Sequence, residues 1–147
     1  MADNNINQTI LIADDNKQTV ELLKKFFTKA KERNDLSCDI IEAYNGDEAI
    51  QMLDIAQPDV ILCDIGMPGK DGFEVLRHFN TFSRVKNQYC FFSFLSADKE
   101  EKIQAFKEGA MGFINKKEIN YFVITLQIKA WLRLVELERQ VAAKDFI

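Results

Sequence analysis

Apolar positions along this chain follow two alternating patterns. Short continuous runs of strand length are separated by stretches in which apolar residues recur at helical spacing. Thr9 to Ala13 is the first run and reads as a buried strand. Val20, Leu23, Phe27 and Ala30 then lie at helical spacing, which predicts a helix over about Lys17 to Arg33. Cys38–Ala43 is the second strand. After the Asn45-Gly46 turn, Ala49, Ile50 and Leu53 mark a second helix. Pro58 ends that segment, because it cannot donate the helical hydrogen bond. Val60–Asp64 is the third strand, and Gly72 to Asn80 a short helix with Phe73, Leu76 and Phe79 inward. Tyr89 to Ser96 is the fourth strand, Lys99 to Glu108 a helix stopped at Gly109, and Gly112–Asn115 a short fifth strand. From Glu118 one helical pattern runs almost to the end, on the order of 39 Å as far as Ala143 at about 1.5 Å per residue.

Strand–helix alternation repeated five times implies a parallel sheet covered on both faces. Right-handed crossovers leave few topologies. Ligands of such sheets bind outside the carboxyl ends of the strands. Asp64 stands on that rim, closing Val60-Ile61-Leu62-Cys63 and entering the turn Ile65-Gly66-Met67-Pro68-Gly69-Lys70-Asp71-Gly72. A carboxylate there can coordinate a metal, act as a base, or attack phosphorus.

Asp14 and Asp15 follow the first strand. Taken singly, one of them would cap the next helix. In a doubly wound sheet of order 2-1-3-4-5, however, strands one and three are adjacent, and Asp14, Asp15 and Asp64 form one cluster. Three close carboxylates repel, which raises their proton affinity unless a cation is present. Mg²⁺ suits such a site, since it uses one or two carboxylates and leaves room for water and phosphate. Ser96 ends the fourth strand and Lys116 the fifth. Their ordinary roles are a cap for the helix near Lys99 and a solvated charge. On the same rim, a hydroxyl and an ammonium would face the acids and suit a phosphoryl group.

Composition narrows the picture further. With 147 residues, 47% of them hydrophobic, the chain has room for one domain with a full core. A net charge of −4 argues against binding nucleic acid or anionic membrane by bulk electrostatics. No apolar run approaches transmembrane length, and the polar stretch from Met1 to Gln8 is neither a signal peptide nor an anchor. Cys38, Cys63 and Cys90 are odd in number and lie in or beside strands. They read as buried hydrophobes in a reducing cytoplasm.

Six pieces, Asp14-Asp15, Asn45-Gly46-Asp47-Glu48-Ala49, the segment Asp64 to Gly72, Ser96-Ala97, Gly109-Ala110 and Lys116, occur in order. With them the chain resembles the response-regulator receiver domain, the CheY-like phosphoacceptor of two-component signalling, over about residues 8 to 130. The resemblance implies a flavodoxin-like fold. It implies that Asp64 takes a phosphoryl group from a histidine kinase or phosphotransfer protein. Asp15, Asp64 and the Gly66 carbonyl would bind Mg²⁺ directly, and Asp14 through water. Ser96 would hydrogen-bond the phosphoryl oxygens and Lys116 would pair with them. Phe113 would be the aromatic switch, turning inward as Ser96 moves and altering the face formed by the fourth helix, fifth strand and fifth helix. Such a domain catalyses its own phosphorylation and dephosphorylation but turns over no separate substrate.

Three positions depart from the family pattern. Lys117 stands where Pro usually follows the Lys in a cis peptide, and without Pro a trans bond is expected. Gly66 replaces a larger side chain two residues after the acceptor, and Ser93 interrupts a Phe-rich strand. Two rivals remain: a pseudo-receiver that signals without phosphate, and an Mg²⁺-dependent phosphatase with an aspartyl nucleophile. The second usually has Asp where Gly66 lies.

The last helix carries one more pattern. A receiver would finish near residue 130, so residues 1–130 form the expected domain and residues 131–147 an extension. Ala130, Leu134, Leu137 and Val141 follow the four–three spacing of a coiled-coil seam, flanked by Arg133, Glu136, Glu138 and Arg139. The stripe is expected to pair in a homodimer or act as a connector. The alternative is a helix that folds back and buries Trp131 on its own domain. The closing segment Ala143 to Ile147 faintly resembles the lead into a histidine-kinase dimerisation helix, as in a receiver fragment of a larger multidomain regulator or hybrid kinase.

Overall fold

Residues 7–83 and 89–144 are described by a computed structural model, whose five strands form one parallel sheet of order β2-β1-β3-β4-β5. The strands are β1 (Gln8–Ala13), β2 (Cys38–Ala43), β3 (Val60–Asp64), β4 (Phe91–Ser96) and β5 (Gly112–Asn115). The helices are α1 (Lys17–Glu32), α2 (Gly46–Ala56), α3 (Gly72–Thr81), α4 (Lys102–Lys107) and α5 (Tyr121–Lys144). This is the flavodoxin-like α/β order expected from the sequence.

Alternate strand residues serve opposite faces, as the pleat requires. Leu11, Ala13, Ile61, Cys63, Phe92 and Phe94 pack with the apolar sides of α2 and α3. Ile10, Ile12, Val60, Leu62, Phe91 and Leu95 pack with α1 and α5. All five residues of β3 are buried, which is why that strand is a continuous apolar run rather than an alternating one. The three cysteines are free and buried.

Asparagines start three of the helices. Asn16 accepts from Gln18 and Thr19 N–H groups, Asn45 from Glu48, and Asn120 from Phe122 and Val123. Neither Asp14 nor Asp15 is the cap of α1; Asn16 is.

Boundaries differ from expectation by more than one residue in three places. β4 begins at Phe91 rather than Tyr89, because its partner β3 begins at Val60, which pairs with Phe91. The segment drawn as one helix from Lys99 opens instead as a 3-10 turn over Lys99–Glu101, with Asp98 as its cap. A second 3-10 turn covers Lys116–Glu118, so α5 starts at Tyr121 rather than Glu118.

Past residue 130, α5 continues without a break. Trp131 stacks on Phe91 with ring centroids 4.3 Å apart, and Leu132 and Val135 are buried in the sheet's α1/α5 face. Gln8 Nε2 donates to the Leu132 carbonyl at 2.8 Å. Arg139 pairs with Asp59, whose other carboxylate oxygen accepts from the Thr9 N–H at 2.7 Å. Trp131 thus packs, half-buried, on its own domain, while α5 runs on rather than folding back. Ala130, Leu134, Leu137 and Val141 lie on the opposite side of the helix, exposed. Asp145, Phe146 and Ile147 lie outside the described residues.

Candidate functional site at the carboxyl end of the sheet

β1 and β3 are neighbours in register, Ala13 against Cys63, so the residues that follow them meet. Asp14, Asp15 and Asp64 each place one carboxylate oxygen so that the three lie within 4.8 Å of one another. Asp14 is fully buried, Asp64 nearly so, and Asp15 is exposed, so the cluster is open to solvent on one side. Asp14 Oδ1 also accepts from the Asn16 N–H at 2.9 Å, which ties the acid to the first turn of α1.

Lys116 reaches the same cluster. Its Nζ lies 2.6 Å from Asp14 Oδ2 and 3.3 Å from Asp64 Oδ1. No peptide bond among the described residues is cis. The trans Lys116-Lys117 bond nonetheless delivers the ammonium to the acids. Asn115 Oδ1 accepts from the Lys117 N–H at 2.9 Å and caps this turn. A proline at that position has no N–H to donate.

The electrostatics follow from this crowding. Burial pushes the Asp64 carboxyl up to about 6, and the Asp14 charge pushes the same way, against the attraction of Lys116. Burial disfavours the Lys116 ammonium, but Asp14 and Asp64 outweigh that and raise its pKa. Lys116 therefore stays charged at neutral pH. Three acids against one ammonium leave excess negative charge in a mostly buried place. That donor set, all oxygen and open on one side, fits a hard dication.

The remaining predicted residues stand around the cluster in different ways. Gly66 is exposed in the loop after β3, and a Cβ added there would meet nothing within 4 Å. Phe113 is half-buried against the cluster that holds α2 and α3. Ser96 is buried at the end of β4, but its hydroxyl does not join the acids. It donates to Glu101 Oε1 at 2.8 Å and accepts from the Asp98 N–H at 3.0 Å.

Glycines allow two close approaches that the side chains depend on. A Cβ at Gly72 would lie 2.4 Å from the Asp64 carbonyl oxygen, so α3 can start directly behind the acid only with glycine there. A Cβ at Gly46 would lie 2.0 Å from the Lys70 carbonyl oxygen, where the loop after β3 rests on the start of α2.

Glu101, Asn115 and Asn16 were not singled out from the sequence. Asn16 had a readable signal, a cap residue just before the helical pattern begins. Glu101 had none, because an acid near a helix start is ordinarily explained by the helix dipole.

The site is therefore a doubly wound sheet with three acids and a lysine at its switch point. The model for the response regulator receiver domain matches residues 10–124, and the chain belongs to that family. The response regulator GtcR of Aneurinibacillus migulanus is 34% identical over 131 residues, which are 87% of this chain and 49% of that protein. The chain thus spans about half the length of that curated relative. Among solved structures, the receiver domain of the Francisella response regulator 1452 matches with a TM-score of 0.71 at 26% identity, covering 86% of this chain and 98% of that one. A signal receiver domain from Vibrio parahaemolyticus shares the fold, with a TM-score of 0.78 at 22% identity over 92% of this chain and 98% of that one. No helix among the described residues is long and apolar enough to cross a membrane.

Proposed function

We propose that this receiver domain takes a phosphoryl group onto Asp64 from the phosphohistidine of a cytoplasmic histidine kinase or phosphotransfer protein. The observation that carries the reading is Lys116 Nζ lying between Asp14 and Asp64, 2.6 Å and 3.3 Å away. An Asp64 oxygen forms a bond to phosphorus while the bond from phosphorus to the imidazole nitrogen breaks, that electron pair staying on the imidazole. Lys116 offsets negative charge gathering on the phosphoryl oxygens. The exposed backbone at Gly66 leaves the approach to Asp64 open.

Asp15, Asp64 and the Gly66 carbonyl would hold Mg²⁺, with Asp14 through water. The ion would neutralise the clustered acids and orient the phosphoryl oxygens. The domain acts on itself and turns over no other substrate. Phosphorylation biases a pre-existing equilibrium through Ser96 and Phe113, changing the face made by α4, β5 and α5. That face already exposes Ile103, Phe106, Phe122 and Leu126. The exposed stripe Ala130, Leu134, Leu137 and Val141 extends it and would serve as a seam between two copies, or as a connector to an output.

Incubation with acetyl phosphate and Mg²⁺ tests the reading. The intact mass of the wild type should rise by one phosphoryl group, and that of Asp64→Asn should not. Equal labelling of the two proteins would sink it.

A further inference from the structure

The Ser96 hydroxyl, predicted to serve the site, is bonded to Glu101 and Asp98 instead of to the acids. It has a single hydrogen. The shortest acceptor for it is Glu101 Oε1 at 2.8 Å, and the Asp98 N–H occupies a lone pair at 3.0 Å. Ser96 is 2% exposed, so water cannot replace either partner without movement. The contact is charge-assisted, which makes it stronger than an ordinary hydroxyl bond.

Glu101 also stands at a mechanically weak place. It ends the 3-10 turn and flanks α4, to which its side chain gives no capping bond. α4 has six residues, of which Ala105 alone is buried. A helix this short depends on its attachments rather than on its own propensity. The Ser96–Glu101 bond is such an attachment, fastening the entrance of α4 to the last residue of β4.

We infer that Glu101 is a positioning residue that holds the Ser96 hydroxyl away from Asp64 in the unphosphorylated domain, so that phosphorylation must take Ser96 from Glu101 and thereby release the start of α4. The inference rests on the phosphoacceptor reading above. A phosphoryl oxygen and the Glu101 carboxylate are both anionic acceptors, and they compete for one hydrogen. Each hydroxyl bond gained at the phosphoryl group is offset by the bond lost at Glu101. Removing the carboxylate removes that opposition. A glutamine keeps a carbonyl acceptor but not its charge, so it should lie between the two.

The test uses the full chain, acetyl phosphate and Mg²⁺, with the labelled fraction read by intact mass. An Asp64 oxygen bonds to phosphorus as the bond to the bridging oxygen breaks, and acetate leaves with that electron pair. The donor concentration giving half-labelling should fall on the order of tenfold in E101A, from the usual strength of a bond to a charged group. It should fall by less in E101Q. In a Ser96→Ala background the E101A change should have no effect, because the hydroxyl it frees is gone. A merely structural role for Glu101 would act equally in both backgrounds, and that result would overturn the inference. So would a half-labelling concentration unchanged in E101A while the wild type labels normally. If E101A does not fold, E101Q compared with wild type in both backgrounds decides the matter in the same way. Absence of label on wild type and E101A alike would remove the phosphoacceptor reading and the inference together.

Discussion

Gly72 packs so closely behind Asp64 that a Cβ on it would lie 2.4 Å from the Asp64 carbonyl oxygen. The obstacle is backbone, which cannot rotate aside. Gly72→Ala should therefore displace either α3 or the acid itself and cost about 1–3 kcal/mol, the usual range for overpacking. Gly66→Ala, six residues earlier and facing open space, should stay within about 0.5 kcal/mol of wild type. Urea denaturation of the two variants checks this, and matching midpoints would contradict it.

The raised pKa of Asp64 makes a statement about stability. A carboxyl with a folded pKa of about 6 binds its proton more tightly folded than unfolded. The folded state therefore loses stability as pH rises from about 4 through 6, and the full penalty is present above that. Asp64→Asn should be more stable than wild type at pH 7.5 without Mg²⁺, by about 1–3 kcal/mol at roughly 1.4 kcal/mol per pKa unit. The gap should close toward pH 4, where Asp64 is protonated. Thermal melts across that range decide the matter, and a gap that widened in acid would refute it.

Arg139 and Asp59 form an ion pair at the other end of the sheet. Asp59 is 5% exposed, so Arg139→Ala would leave a buried carboxylate with the Thr9 N–H but no countercharge. Such a loss typically costs several kcal/mol, and the partial exposure of Arg139 reduces this to about 1–3 kcal/mol. Trp131 fluorescence during unfolding would report it, since Trp131 is stacked on Phe91 in the same cluster. An unchanged midpoint would mean the pair is solvent-screened.

The seam on α5 is best tested without shortening the chain, since Leu132, Val135 and Arg139 belong to the body of the domain. Leu134→Glu with Leu137→Glu changes exposed residues alone. If two copies pair through the stripe, sedimentation of the phosphoryl-loaded wild type should show a dimer that the double variant lacks. Two monomers at high concentration would mean the stripe has another use.

What the sequence made legible, and what it hid, divides along physical lines. β3 was readable to the residue because both its faces are buried, and a fully buried strand is a plain apolar run. The meeting of Asp14, Asp15 and Asp64 followed from the order 2-1-3-4-5, one of the few that alternation and handedness leave open. The start of α4 was hidden, because the 3-10 turn there involves Asp98 as cap and Glu101 bonded back to Ser96. Helical periodicity carries no information on such a bond. Asp59 and Arg139 were hidden for a different reason. They lie eighty residues apart in sequence, and each alone looks like a solvated surface charge. On α5, two apolar stripes share one helix, and spacing could not say which would meet the sheet.

Asp59 and Asp64 bracket the same strand, separated by five steps of extended chain, or roughly 17 Å. Arg139 grips the first of them from near the end of α5. The outer part of α5 and the acid cluster are thus tied to opposite ends of one strand.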